Sequence, residues 1–315
     1  MRRHLAGLAL LALLPVQAQE TTPPTLRAVG STPPWVEGAQ FGALPPDAAL
    51  GELLKGQADA VLGTLPLPKP PNGTRQVSIP VGVFPVSVVY SLPGVNLRLD
   101  VPTLCQMLAG RLLTWNHARV RALNPGVSLP ALPVLVSARV ARNGVSLAVA
   151  GACVRVGAWP RAWLKSNWVA GASFTRAALG SQRADLDVPG VLMVLGPRDV
   201  PPGAQVALLR APGGAFVGPE APLDVPGLPR WPFAPLPPAR AAGAYPLRGV
   251  VWLTARREQG EPNRARALVA LAARLQGGSG EGFAGLPTAL RPPLSLTYRG
   301  KPLKLASRAA SSSNP

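Results

Sequence analysis

LPALPVLVSARVARNGVSLAVAGACV, residues 129–154, joins an apolar run that reads as a strand to an apolar run that reads as a helix. Between them lies SARVARNGVS, residues 137–146, a loop bearing two arginines and a glycine. A strand feeding a helix through a short polar loop is the repeating unit of an α/β protein. The amides at a helix start, together with the helix dipole, make such a junction a ready anion site. Arg139 and Arg142 add guanidinium groups suited to an oxyanion. The competing reading is a solvated turn whose arginines only keep it wet, and these residues alone leave both readings open.

The pattern continues outward from this stretch. Strand-like runs (TLRAVG, ADAVLG, SVVYSL, LPVLVS, GVLMVLG, QVALLRA, GVVWLTA) alternate with helical ones (AALGELLKG, VPTLCQMLAGR, VSLAVAGACV, RARALVALAARLQ), which predicts α/β architecture. Asp47 is the expected N-cap of the first helix. Pro262 opens the last helix, whose Leu268, Leu271 and Leu275 recur at helical spacing. Residues 201–243 are dominated by proline and glycine and read as a loop-rich excursion. In WPRAWLKSNW, residues 159–168, three tryptophans interleave with Arg161 and Lys165. This reads either as a partner surface or, with more weight, as core packing.

Residues 1–18, MRRHLAGLALLALLPVQA, read as a secretory signal peptide: two arginines, a short apolar stretch, and small-residue spacing before Gln19. No cysteine lies near that point, so a lipid anchor is not expected, and no later run is clean enough to span a membrane. The expectation is a protein of the periplasm, cell envelope or exterior, ending in a flexible tail over 306–315. The net charge of +18 favours acidic polymers and envelope surfaces. With only 5% aromatic residues and no recognition motif, the composition argues against nucleic acid. In an exported chain Cys105 and Cys153 read either as a disulfide or as two buried thiols.

Catalytic patterns are missing. His117 is the single histidine outside the leader, which excludes a multi-histidine metal site, and two distant cysteines make no zinc pattern. There is no phosphate-cradling glycine loop and no G-x-S-x-G elbow. The chain reads as a binding protein without cofactor or metal, and not as an enzyme.

The segment 97–139 carries a resemblance. Leu108-Ala109-Gly110-Arg111, Thr114-Trp115-Asn116 and Ala122-Leu123-Asn124-Pro125-Gly126 follow the order of motifs in the phosphate-binding proteins of bacterial ABC importers. VPGVLMV (188–194), LLRAPGGAFVGPE (208–220), YPLRGVVWLTARR (245–257), AVGSTPP (28–34) and ADAVLGTLPL (58–67) resemble further family segments in order. The resemblance implies a two-lobed type II periplasmic binding fold that closes on its ligand by hinge motion. It places lobe I at 25–88 plus 246–305 and lobe II at 89–245. It also implies phosphate, or a related small oxyanion, as ligand and an ABC permease as partner.

Laid on the family's ligand loop, Arg139, Asn143, Gly144 and Ser146 fall on ligand positions, with Arg142 an additional cation. Thr32 and Thr64 are the implied ligands from the other lobe. Two departures stand out. The aspartate that orients the family's arginine is replaced by Ala141, so Arg139 is expected to lose its counter-charge. The carboxylate that accepts a proton from hydrogen phosphate is replaced by Thr64, which removes a preference for phosphate over sulfate. In addition, the serine at the next helix start falls on Pro46, and about fourteen residues are missing before it by family spacing. Such erosion leaves an alternative: a ligand-free envelope module on the same fold, contacting an acidic polymer or a protein.

Overall fold

The structure is a computed structural model that describes residues 24–68, 75–176, 181–229 and 234–303. The expected leader at 1–18 and tail at 306–315 lie outside these residues.

Two large sheets organise the chain. The first is built from β1 (Leu26–Gly30), β2 (Ala39–Ala43), β3 (Ala60–Gly63) and β4 (Gln76–Pro85). The second contains β5 (Ser87–Tyr90), β6 (Leu135–Arg139), β7 (Phe174–Arg176), β8 (Val191–Leu195) and β9 (Gln205–Val206). The chain then returns to the first sheet through β10 (Arg248–Arg256), β11 (Ser279–Gly280) and β12 (Phe283–Ala284). Strand order is β11-β12-β4-β10-β3-β1-β2 in the first and β9-β5-β8-β6-β7 in the second. In each, a parallel set (β2-β1-β3; β8-β6-β7) is extended by antiparallel strands.

Two backbone crossings link the sheets. Val86 separates β4 from β5, and its N–H donates to the Leu247 carbonyl at 2.8 Å. The buried Tyr245 hydroxyl donates to the Val86 carbonyl at 2.9 Å, so the outward and return crossings are bonded to each other. Ser87 and Val88, assigned to lobe I from sequence, pair with Leu195 and Val194 of the second sheet. The apolar run gives no mark at the crossing, because both sheets bury it.

β4 is the longest strand and has no counterpart among the strand-like runs read from sequence. Pro80 and Pro85 interrupt its pattern, and proline normally argues against a central strand. The chain accommodates Pro80 at a register shift against β10, where Val251 faces Gly82 but Trp252 faces Pro80. That shift is a bulge, the place where a missing amide is tolerated.

The main helices are α1 (Pro46–Lys55), α2 (Val101–Leu108), α3 (Ala118–Leu123), α4 (Gly144–Arg155) and α5 (Pro262–Gly277). Asp47 is not the cap of α1. Pro45 holds that position, Pro46 fills the first turn, where its missing N–H costs nothing, and Asp47 follows within the same turn. Asp100 does cap α2, accepting from the Thr103 amide at 2.8 Å. α4 has no polar face: Gly144 through Cys153 are all buried, because it is enclosed between α2, the second sheet and β10.

Cys105 of α2 and Cys153 of α4 form a disulfide, with Cα atoms 5.4 Å apart. Of the two readings left open by sequence, the bridge is the one realised. Two of the three tryptophans are core: Trp159 and Trp168 are buried, their rings 4.6 Å apart, and the Trp159 indole donates to the Cys105 carbonyl at 2.8 Å, while the half-buried Trp163 packs edge-on against Trp159. Among the described residues no helix is long and apolar enough to cross a membrane.

Candidate functional site

In open α/β sheets ligands bind beyond the carboxyl ends of the parallel strands. Every residue implied as a ligand lies at such an end. β1 runs into Ser31 and Thr32, β3 into Thr64, and β6 ends at Arg139 and leads through 140–143 into α4. The topology therefore gathers Thr32 and Thr64 at the edge of one sheet, and Arg139, Asn143, Gly144 and Ser146 at the edge of the other.

The two edges touch. The Gly144 amide, first in α4, donates to the Thr64 hydroxyl at 3.0 Å. A Cβ on Gly144 would lie 2.2 Å from the Thr64 carbonyl oxygen, so only glycine permits this approach. Thr64 and Gly144 share a cavity of about 10 Å³ with Pro235, Leu236 and Arg248, room for one water-sized group.

Asn143 caps α4. Its Oδ1 accepts from the Ser146 amide at 2.8 Å, while Nδ2 donates to the Ala141 carbonyl and the Ser146 hydroxyl. Both ends of the amide are thus engaged within its own loop, and Ser146 is buried beneath it. Arg142 Nε donates to the Ser166 hydroxyl at 3.1 Å. Thr32 is buried, and its amide donates to the Leu62 carbonyl at 3.3 Å.

Arg139 departs from expectation. It keeps a counter-charge: Nη2 lies 3.3 Å from Asp199 Oδ2, and Nε donates to Gln182 Oε1 at 3.3 Å. Asp199 follows β8, the strand next to β6, so strand adjacency supplies what Ala141 lacks. Gln182 is held in turn, donating to the Ser137 carbonyl at 2.8 Å. Asp185 accepts from Ser137 Oγ at 2.6 Å and pairs with Arg176. Arg139 is 5% exposed, and pairing of this kind offsets the cost of burying a guanidinium to that degree.

Arg248, the first residue of β10, was read only as part of a returning strand. It is also 5% exposed and lines the cavity with Thr64 and Gly144. Its Nη2 donates to the Pro237 carbonyl at 2.7 Å, but Nε and Nη1 are buried with no hydrogen-bond partner. Arg155, at the end of α4, donates to the adjacent Leu236 carbonyl at 2.7 Å. Burial lowers the Arg248 pKa to about 10, and it lowers that of Arg155 as well. Asp224 acts on Arg248 through space, but no described carboxylate is within ion-pair distance of it. A charged residue in the otherwise apolar YPLRGVVW was the signal for this group.

A larger surface groove, about 670 Å³, lies at the far end of β10 between Arg75, Arg256, Glu258 and Arg299. It contains none of the implied ligand residues. Among the described residues no group of three or more His, Cys, Asp or Glu side chains could hold a metal ion.

No family model matches the chain. A 75-residue segment is 35% identical to phosphate-binding protein PstS 3 of Mycobacterium leprae and 33% identical to phosphate-binding protein PstS 2 of Mycobacterium tuberculosis. Each match covers 24% of this chain and 20% of the relative, so the chain spans about a fifth of the length of these curated relatives. Solved structures agree over far more of the chain. A high-affinity periplasmic phosphate-binding protein, PfluDING, aligns with a TM-score of 0.59 at 14% identity, covering 84% of this chain and 91% of that one. A phosphate-binding protein of Stenotrophomonas maltophilia aligns with a TM-score of 0.59 at 12% identity, covering 85% and 92%. The chain thus has the two-lobed fold of the periplasmic phosphate-binding proteins and resembles them, as a divergent relative, in the segment of sequence that aligns.

Proposed function

We propose that this protein is an exported solute-binding protein that takes phosphate, or a related small oxyanion, between its lobes and delivers it to an ABC permease. The observation that carries this reading is Arg139, buried at the carboxyl end of β6 and oriented by Asp199 and Gln182 beside the start of α4. A guanidinium fixed by a carboxylate at a strand end that leads into a helix N-terminus is an arrangement for binding an anion. The Gly144 amide and the Thr64 hydroxyl, bonded to each other here, would turn to the anion as that contact parts, with Ser146 and Asn143 in the same loop and Thr32 at the neighbouring strand end. Thr64 provides no carboxylate to accept a proton, so sulfate is expected to compete with phosphate.

The direct Thr64–Gly144 bond and the water-sized cavity beside it favour a second reading, a ligand-free envelope module that keeps the lobes shut. The test is calorimetric titration of anion-stripped protein with phosphate and then sulfate at low salt. The receptor reading expects saturable one-to-one binding that is lost in Arg139→Ala. Flat titrations of a folded sample would instead establish the module. An affinity that falls steeply with salt and ignores Arg139 would indicate a polyanion surface.

A further inference from the structure

We infer that Arg248 is a second cation of the interlobe anion site, with Arg155 beside it, and that it directs the site toward divalent oxyanions. The inference rests on the receptor reading above. Three observations support it. Arg248 belongs to the first sheet and Arg155 to α4, so the pair straddles the same inter-lobe boundary as Thr64 and Gly144. Arg248 borders the cavity that those two residues share. Finally, Arg248 is nineteen-twentieths buried yet leaves Nε and Nη1 without an acceptor, whereas Arg139 has both a carboxylate and an amide oxygen.

A buried donor without an acceptor is costly, and a charged one more so. A protein retains such a group where something else completes it. The missing partner here is an acceptor, and the surroundings select its charge: two guanidiniums converge, with no described carboxylate in ion-pair contact with either. A divalent oxyanion matches a pair of cations better than a monovalent one.

The wall that limits the cavity is short and specific. Pro235 packs on Gly151, where a Cβ would come within 2.1 Å of the proline Cβ. Leu236 and Pro237 then give their carbonyls to Arg155 and Arg248. Those carbonyls are the acceptors an oxyanion would displace. Admission of the anion therefore exchanges two neutral acceptors for charged ones, as the 235–237 wall draws back or the Thr64–Gly144 contact parts.

The experiment titrates anion-stripped wild type, Arg248→Met and Arg248→Lys with sodium sulfate and with sodium phosphate, with thermal unfolding confirming that each is folded. The wild type should bind sulfate at least as tightly as phosphate. Arg248→Met should weaken sulfate roughly 10- to 150-fold, the range for hydrogen bonds to charged groups. Arg248→Lys keeps the charge but loses the fork, and should fall between the two. Wild-type binding with Arg248→Met unchanged within twofold would overturn the inference and leave the receptor reading standing. If Arg248→Met fails to fold, unchanged affinity in Arg248→Lys overturns it. If neither anion binds the wild type, the receptor reading fails and this one fails with it.

Discussion

Arg248→Met should make the protein more stable. In the folded chain the guanidinium pKa is lowered well below its ordinary range, to about 10, chiefly by burial. That displacement corresponds to about 3 kcal/mol disfavouring the charged form at neutral pH. Methionine forgoes the bond to the Pro237 carbonyl, worth about 1 kcal/mol, and fills similar space without a charge. The net expectation is a gain of about 2 kcal/mol, or about 3 °C in midpoint for a chain of 315 residues. Urea unfolding followed by tryptophan fluorescence at pH 7, in buffer free of oxyanions, reads the difference. The sign of its pH dependence follows from linkage. The folded-state pKa lies below the unfolded one, so above about pH 10 the unfolded chain holds a proton that the folded chain has released. The wild type therefore carries its full deficit below pH 10 and recovers stability as pH rises through it, narrowing the gap between the two proteins. Added sulfate should narrow the gap too, by stabilising the wild type more than the variant. A methionine variant less stable than wild type by 1 kcal/mol or more in anion-free buffer would refute the reasoning, because it would show the guanidinium to be well satisfied.

Replacing Cys105 and Cys153 together by serine opens a loop set by a sequence separation of 48 and should cost about 4 kcal/mol in urea unfolding. Gly144→Ala places a methyl 2.2 Å from the Thr64 carbonyl oxygen and should force the lobes apart, seen as a larger radius of gyration by X-ray scattering. An unchanged radius would show that α4 can shift to make room. Asp199→Asn strips Arg139 of its carboxylate and should cost about 2 kcal/mol of stability, while Asp187→Asn, a solvent-facing control in the same region, should cost less than about 0.5. Equal effects of the two would mean that the Arg139 pair contributes nothing.

Periodicity and punctuation carried much of the architecture. α2 announces itself with Asp100 and Pro102 before an apolar run, and α4 with Asn143 and Gly144 after a strand, because caps and breakers act locally. The strand ends that assemble the candidate site were legible for the same reason. β4 was not, since the prolines that obscure it are reconciled only by a bulge opposite Val251 and Trp252, more than 160 residues away. Ala141 misled in a related way. A missing neighbour in the loop was read as a missing counter-charge, but the carboxylate arrives from Asp199, 60 residues on, through the pairing of β6 with β8. The orphaned state of Arg248 was beyond local reading altogether, because burial is a property of the assembled lobes. What the sequence did show was the anomaly of one cation in an apolar run.

The bond between Tyr245 and Val86 has a mechanical consequence. Wherever two strands join two bodies independently, the bodies can twist, slide or swing. Lacing the strands together at one buried point, with the Val86 amide also tied to Leu247, leaves rotation about that point as the soft motion and makes translation break both ties. Burial raises the Tyr245 pKa, so the phenol keeps its proton and the tie holds at neutral and moderately alkaline pH. The lobes are joined as a pair of tongs is joined, by a rivet: travel is least at the pin and grows with distance from it.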